Sequence, residues 1–433
     1  MPSEGSRSFG FETRMLHAGH IPDPLVGARA VPIYQTTSYV FGDADTAAQL
    51  FELKQYGHMY TRISNPTTSV LEERIASLEN GTGAVAVASG MAAQFATFMT
   101  LLSPGDEIVA SEHLYGGTIT QLSHALRKLS IGVHFVDPSE VGNFERAITK
   151  KTRALFGETV GNPRGSILDI EPLSELADAF HIPLIVDSTF ATPYLCRPID
   201  FGATIVVHSA TKFIGGHGTS IGGLVVDSGK FDFGRFPTIA DPSPSYHGLR
   251  FFDTFGHYGF LMKLRAETVR DTGACISPMN SFLLLQGVET LSVRMDRHVA
   301  NARAVATFLS GHSSVAAVHY AGLPGHPHHE RASKYLPKGP GAVFTFDLVP
   351  RGVDTRAAGR RFIDSLQLIS HLANVGDART LVIHPASTTH QQLSDDELRR
   401  CGVGPETIRL SVGLETVEDL IWDLDRALFA AST

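Results

Sequence analysis

The chain has 433 residues, of which 43% are hydrophobic and 18% charged. Its 36 basic and 44 acidic side chains leave a formal net charge of −8. That balance argues against nucleic acid or an anionic membrane as partner, and the length calls for two domains with an added arm rather than one small core. The cysteines, Cys196, Cys275 and Cys401, are few, odd in number and far apart. A disulfide framework or structural zinc is therefore not expected, and a reducing, cytoplasmic interior is. The N-terminus has no apolar signal core, and no apolar run approaches the roughly 18 residues that a membrane span needs.

In chain order, residues 1–62 read as an irregular arm, with prolines and polar turns in HIPDPL and AVPIYQTTSYVF. A large domain is expected over residues 63–290. It starts with a helix in NPTTSVLEERIASLEN: a proline lies in the first turn, Val70, Leu71, Ile75 and Leu78 follow at helical spacing, and Asn80-Gly81 stops it. From residue 83, short apolar runs take over: GAVAVA, DEIVAS, GVHFVD, TRALFGE, IPLIVD, ATIVVH and GGLVVD. Such runs suit buried parallel strands covered by helices on both faces. The first five alternate with helical segments, which gives a wound α/β sheet. The last two are joined only by a glycine-rich loop. GRFPTIADPSPSYHG reads as a long ordered loop, and a helical stretch over roughly 256–308 bridges onward. Residues 291–433 are expected to form a smaller α+β domain containing AVFTFDL and TIRLSVGL.

Ligands of a wound sheet bind at the carboxyl ends of its strands. Ser89-Gly90-Met91 follows the first run and opens a helix whose N–H groups suit a phosphate. Asn162 and Pro163 follow the fourth run, Asp187 ends the fifth, and Ser209, Thr211 and Lys212 follow the sixth. Taken singly, each has an ordinary reading as a turn, a cap or a solvated side chain. Together they match what pyridoxal 5'-phosphate requires. A lysine amine must form a Schiff base with its aldehyde. A carboxylate must pair with the pyridine nitrogen. A helix N-terminus with hydroxyls must hold the phosphate, and an aromatic ring, here Tyr115, should stack on the cofactor.

Seven motifs in order, YTRISNPT, SGMAA, LYGGT, ETVGNP, VDSTFATP, HSATKFIGGHG and HPASTTH, resemble those of the Cys/Met-metabolism family of pyridoxal-phosphate enzymes. The resemblance implies fold type I, the aspartate-aminotransferase-like α/β fold. It implies that Lys212 is the Schiff-base lysine and Asp187 the pyridine partner. Phosphate contacts would come from Gly90, Met91, Ser209 and Thr211. Tyr60 and Arg62 would reach the phosphate of a neighbouring subunit, in a homotetramer built from active dimers. Tyr115 and Tyr60 would join Lys212 in catalysis. Arg409 would grip the substrate carboxylate, since a guanidinium fork fits a carboxylate. Asn162 and Asn374 would complete the substrate site, with Asn374 standing where the family usually has serine.

Within the family, the segments DPSPSYHG, LLLQGVETLSVRMDRHVANA and SHLANVGDA resemble the branch that joins O-acetylhomoserine to sulfide, giving homocysteine and acetate. Gly117 stands where methionine γ-lyases carry a cysteine. An O-succinylhomoserine sulfhydrylase, a cystathionine γ-synthase or a γ-lyase remains an alternative on the same scaffold. A non-catalytic nucleotide-binding module is disfavoured, because the first strand-to-helix turn lacks G-x-G-x-x-G. GHPHHE at 325–330 reads as a solvated loop, so no metal is expected. His384 and His390 are open between lining the site and packing.

Overall fold

The seven apolar runs become seven strands of one sheet, in a computed structural model that describes residues 7–162, 165–349, 354–389, 391, 394–400 and 402–432. These are β1 (Gly83–Val87), β2 (Glu107–Ser111), β3 (Gly132–Val136), β4 (Thr152–Glu158), β5 (Leu184–Asp187), β6 (Ile205–Ser209) and β7 (Gly223–Asp227). Their order is β1-β7-β6-β5-β4-β2-β3. Strands β3, β2, β4, β5 and β6 pair in parallel. The expectation of parallel strands fails at β7, which runs antiparallel to both β6 and β1. The reason is the connection: the glycine-rich loop holds no crossover helix, and a parallel return needs one.

Alternate residues of the central strands enter two separate apolar layers. Val186, Val206, Leu224 and Val226 pack on one face. Ile185, Ile205, Val207 and Val225 pack on the other. Burial on both faces explains why these strands read as continuous apolar runs.

The helix Pro66–Glu79 forms where its sequence signals place it. Asn65 caps it by accepting from Thr67 N, and Asn80 ends it at φ 59°. The arm before it is less irregular than its sequence suggests, because short helices form at Phe11–His17 and Ala44–Phe51. Several arm side chains stay in solvent, including Ile21, Leu25, Val26, Val40 and Tyr56. The 234–248 segment folds as short turns around Pro237–Ala240 and Pro244–Tyr246. The helical stretch beyond it is broken into pieces, ending with Pro278–Val288 and the 21-residue Leu291–Gly311.

A second sheet lies beyond that long helix: β8 (Val315–His319), β9 (Val343–Leu348), β10 (Ser370–His371), β11 (Leu381–Ile383) and β12 (Thr407–Ser411). Its order is β10-β11-β12-β9-β8, with only β10 and β11 parallel. The long helix binds the two sheets together. Arg294 donates to the carbonyls of Phe213, Ile214 and Gly287 at 2.7, 3.0 and 2.6 Å. One turn on, His298 Nδ1 bonds the carbonyl of Val412 at 2.7 Å, just past β12. No helix among the described residues is long and apolar enough to cross a membrane.

Candidate active site

The sheet topology delivers the carboxyl ends of β4, β5 and β6 side by side, and a cavity of ≈ 280 Å³ opens over them. Ten of the residues singled out from the sequence line it: Gly90, Met91, Tyr115, Asn162, Asp187, Ser209, Thr211, Lys212, Asn374 and Arg409. Two do not. Tyr60 and Arg62 lie on the arm outside this cavity, with the Arg62 guanidinium 5.4 Å from the Tyr60 ring centre. Arg62 Nη1 donates to the carbonyl of Arg270 at 2.6 Å.

Lys212 follows β6 in a tight turn, where its carbonyl accepts from Gly216 N at 2.7 Å. Its Nζ donates to Asn374 Oδ1, so the residue that replaces the usual serine holds the lysine amine directly. Loss of surrounding water, reinforced by the Arg409 guanidinium, lowers the pKa of Lys212. Burial and a nearby cation both favour the neutral amine, the form that can act as base or nucleophile. Arg409 projects from the middle of β12, and burial lowers its pKa as well.

Asp187 ends β5 and is 8% exposed. Its Oδ1 accepts from Thr189 N at 2.9 Å and its Oδ2 from Gln94 Nε2 at 2.8 Å. Glu158 ends β4 in the same cavity and accepts from Tyr115 N at 2.7 Å. Burial first, and the neighbouring Asp187 second, push the Glu158 carboxyl well above its usual range. A like charge nearby disfavours the charged form of Glu158.

Opposite them, Ser89 caps the helix Gly90–Leu101 by accepting from Ala92 N at 3.1 Å. A Cβ on Gly90 would stand 2.5 Å from Ser209 Cβ. A Cβ on Gly223 would stand 2.0 Å from the Ser89 carbonyl oxygen. These two glycines let the helix N-terminus and the β6 loop touch, which makes one concave patch of N–H and hydroxyl groups.

Residues 12–429 match the family of Cys/Met metabolism PLP-dependent enzymes. The chain belongs to that family. Pyridoxal 5'-phosphate is accordingly its cofactor, and the geometry fits it. A lysine amine with a lowered pKa, an acid with two N–H donors and a glycine-built anion cradle converge on one cavity. The chain is 49% identical to the O-acetyl-L-homoserine sulfhydrylase of Leptospira meyeri, over 98% of this chain and 97% of that one. It is 50% identical to O-acetyl-L-homoserine sulfhydrylase 1 of Thermus thermophilus, over 96% and 99%. A crystal structure assigned as an O-acetylhomoserine (thiol)-lyase of Campylobacter jejuni superposes with a TM-score of 0.93 at 39% identity. It covers 97% of this chain and 100% of its own, and it carries N'-pyridoxyl-lysine-5'-monophosphate. The mostly parallel wound sheet with a smaller second sheet is thus fold type I, as the motifs implied.

Other residues of this family member reach the cavity without having been singled out: Gln94, Thr118, Glu158, Thr189 and Phe190. Four of them stood inside quoted motifs, namely Thr118 in LYGGT, Glu158 in ETVGNP, and Thr189 and Phe190 in VDSTFATP. Gln94 follows SGMAA directly, one turn into its helix. His384 packs: its ring nitrogens bond Ser387 Oγ at 2.9 Å and the Pro405 carbonyl at 2.8 Å. His390, Pro163 and Cys401 lie outside the described residues. His326 and His328 border a separate, wider groove of ≈ 1340 Å³ that meets the cavity at Tyr115, Asn162 and Arg409.

Proposed function

We propose that this enzyme carries out γ-replacement, converting O-acetylhomoserine and sulfide into homocysteine and acetate. The observation that carries the reading is the half-buried Lys212 amine held by Asn374 Oδ1, in one cavity with Asp187 and Arg409. The relatives named O-acetyl-L-homoserine sulfhydrylase, near 50% identical along nearly the whole chain, support the choice of substrate. When bound, pyridoxal phosphate supplies an aldehyde that condenses with amines and a ring that withdraws electrons.

The residues then divide the work. Asp187 would face the pyridine nitrogen. Gly90, Met91, Ser209 and Thr211 take the phosphate through N–H and hydroxyl donors. Tyr115, at the mouth and 52% exposed, covers the ring face. Arg409 and Asn162 hold the substrate carboxylate, with Arg409 offering its planar fork. Lys212 would take the proton from the substrate Cα, its amine steered by Asn374 Oδ1. Acetate leaves Cγ with the electron pair of its C–O bond, hydrosulfide forms the new C–S bond there, and Lys212 returns a proton to Cα.

Tyr60 and Arg62 serve the phosphate of a neighbouring copy. Their place on an arm outside their own cavity supports this, as do the apolar arm residues left in solvent. The arm over 1–62, the large domain over 63–290 and the small domain over 291–433 are then the units of a cytoplasmic homotetramer, whose mass sedimentation velocity would report. The decisive experiment assays the purified protein with pyridoxal phosphate for homocysteine, from O-acetylhomoserine plus sulfide and from O-succinylhomoserine plus sulfide. Product from the acetyl ester at clearly higher kcat/KM supports the proposal; product from the succinyl ester alone, or none, overturns it.

A further inference from the structure

Gln94 is a polar side chain in an apolar place. It is 3% exposed, one turn into the helix Gly90–Leu101. A buried amide is costly unless both its ends are bonded. Here both are. Thr118, itself fully buried, donates its hydroxyl to Gln94 Oε1 at 3.1 Å. Gln94 Nε2 donates to Asp187 Oδ2 at 2.8 Å. Turning the amide over would aim its oxygen at the Asp187 carboxylate, oxygen against oxygen. The acceptor-only carboxylate therefore fixes which end of the amide faces it, and the Thr118 hydroxyl holds the other end in place. Thr118 lies in the short helix Gly116–Thr120, which begins directly after Tyr115. The segment that carries the ring-covering tyrosine is thereby tied to the acid beneath.

The same bond has an electrostatic consequence. Asp187 and Glu158 share the cavity floor. Each N–H donated to a carboxylate stabilises its charged form. Gln94 adds a side-chain donor to Asp187 beyond the Thr189 backbone N–H. That donor goes to Asp187, the acid that must face the pyridine nitrogen, and not to Glu158.

We infer that Gln94, aligned by Thr118, is a positioning residue that fixes Asp187 as the anionic partner of the cofactor's pyridine nitrogen. The inference rests on the reading of Asp187 given above. The test measures the dissociation constant of pyridoxal phosphate from the holoenzyme, by separating free from bound cofactor, in Gln94→Leu, Thr118→Val, Asp187→Asn and the Gln94→Leu/Asp187→Asn double variant. Gln94→Leu weakens binding about tenfold and Thr118→Val about threefold. In the Asp187→Asn background, Gln94→Leu adds less than about twofold, because a residue that acts through Asp187 has nothing left to act on. Unchanged binding in Gln94→Leu, or an equal loss in both backgrounds, would overturn the inference. If Gln94→Leu does not fold, Thr118→Val and its double variant with Asp187→Asn decide in the same way. Unchanged binding in Asp187→Asn would instead sink the reading of Asp187 itself.

Discussion

Lys212 and Asp187 were readable because each sits where a buried strand ends, and strand ends are visible as apolar runs. Asn374 was visible as a departure from serine, but its bond to the Lys212 amine was not. That bond joins residues 162 positions apart, and no periodicity encodes it. Gln94 was hidden for the same reason: its helix showed where it begins, not which side chain meets Asp187. Two outcomes belong at this scale. Lys212→Ala removes the one lysine among the described residues that line the cavity, so the visible imine absorbance and homocysteine formation should both vanish. An absorbance scan and the sulfide assay check this. Gly90→Ala puts a methyl 2.5 Å from Ser209 Cβ and must part the two halves of the anion cradle. Overpacking of this kind costs about 1–3 kcal/mol. Cofactor affinity should fall roughly tenfold, as read by absorbance titration, while the fold is kept.

Among the elements, the helix Pro66–Glu79 was legible to its ends because its cap, proline and stop are local signals. The direction of β7 was not, since an apolar run carries no arrow; only the missing crossover in the 210–222 loop hinted at it. The role of the Leu291–Gly311 helix was equally hidden. Arg294, 6% exposed, spends its guanidinium on three carbonyls and on Thr290 Oγ1 at 3.1 Å. Burial lowers its pKa to about 10. Two of those carbonyls belong to Phe213 and Ile214, directly after Lys212. Arg294→Met keeps the length of the side chain and takes the donor from the Phe213 and Ile214 carbonyls, while Gly287 keeps Thr290 N. Each such buried group costs about 1–3 kcal/mol, so urea unfolding should show a loss of roughly 3–5 kcal/mol. Activity should fall with it, because the Lys212 turn is no longer pinned.

The whole molecule carries a pH limit through His298. The ring is fully buried between the two sheets, and burial above all, aided by the Arg294 charge, lowers its pKa from 6.5 to about 4 against the pull of the Val412 carbonyl. The unfolded chain binds a proton near pH 6.5, whereas the folded chain resists it down to about pH 4. Stability from this group is therefore complete above pH 6.5 and is lost as pH falls toward 4. The loss is on the order of 3 kcal/mol. Urea midpoints measured across that window should decline, and His298→Gln should flatten the decline.

The wound α/β sheet and a second domain with strands followed from alternation along the chain, and the fold type from the resemblance of its motifs. The way the sheets share the cavity did not, because it depends on one helix meeting both. Lys212 and Asp187 hang from the seven-stranded sheet, whereas Arg409 belongs to the five-stranded one and Asn374 to the segment between its strands β10 and β11. Tilting one sheet against the other would loosen the hold on the substrate's acid group and misdirect the lysine in the same motion. A compound wedged into that seam could silence the enzyme without ever competing for the vitamin's own berth.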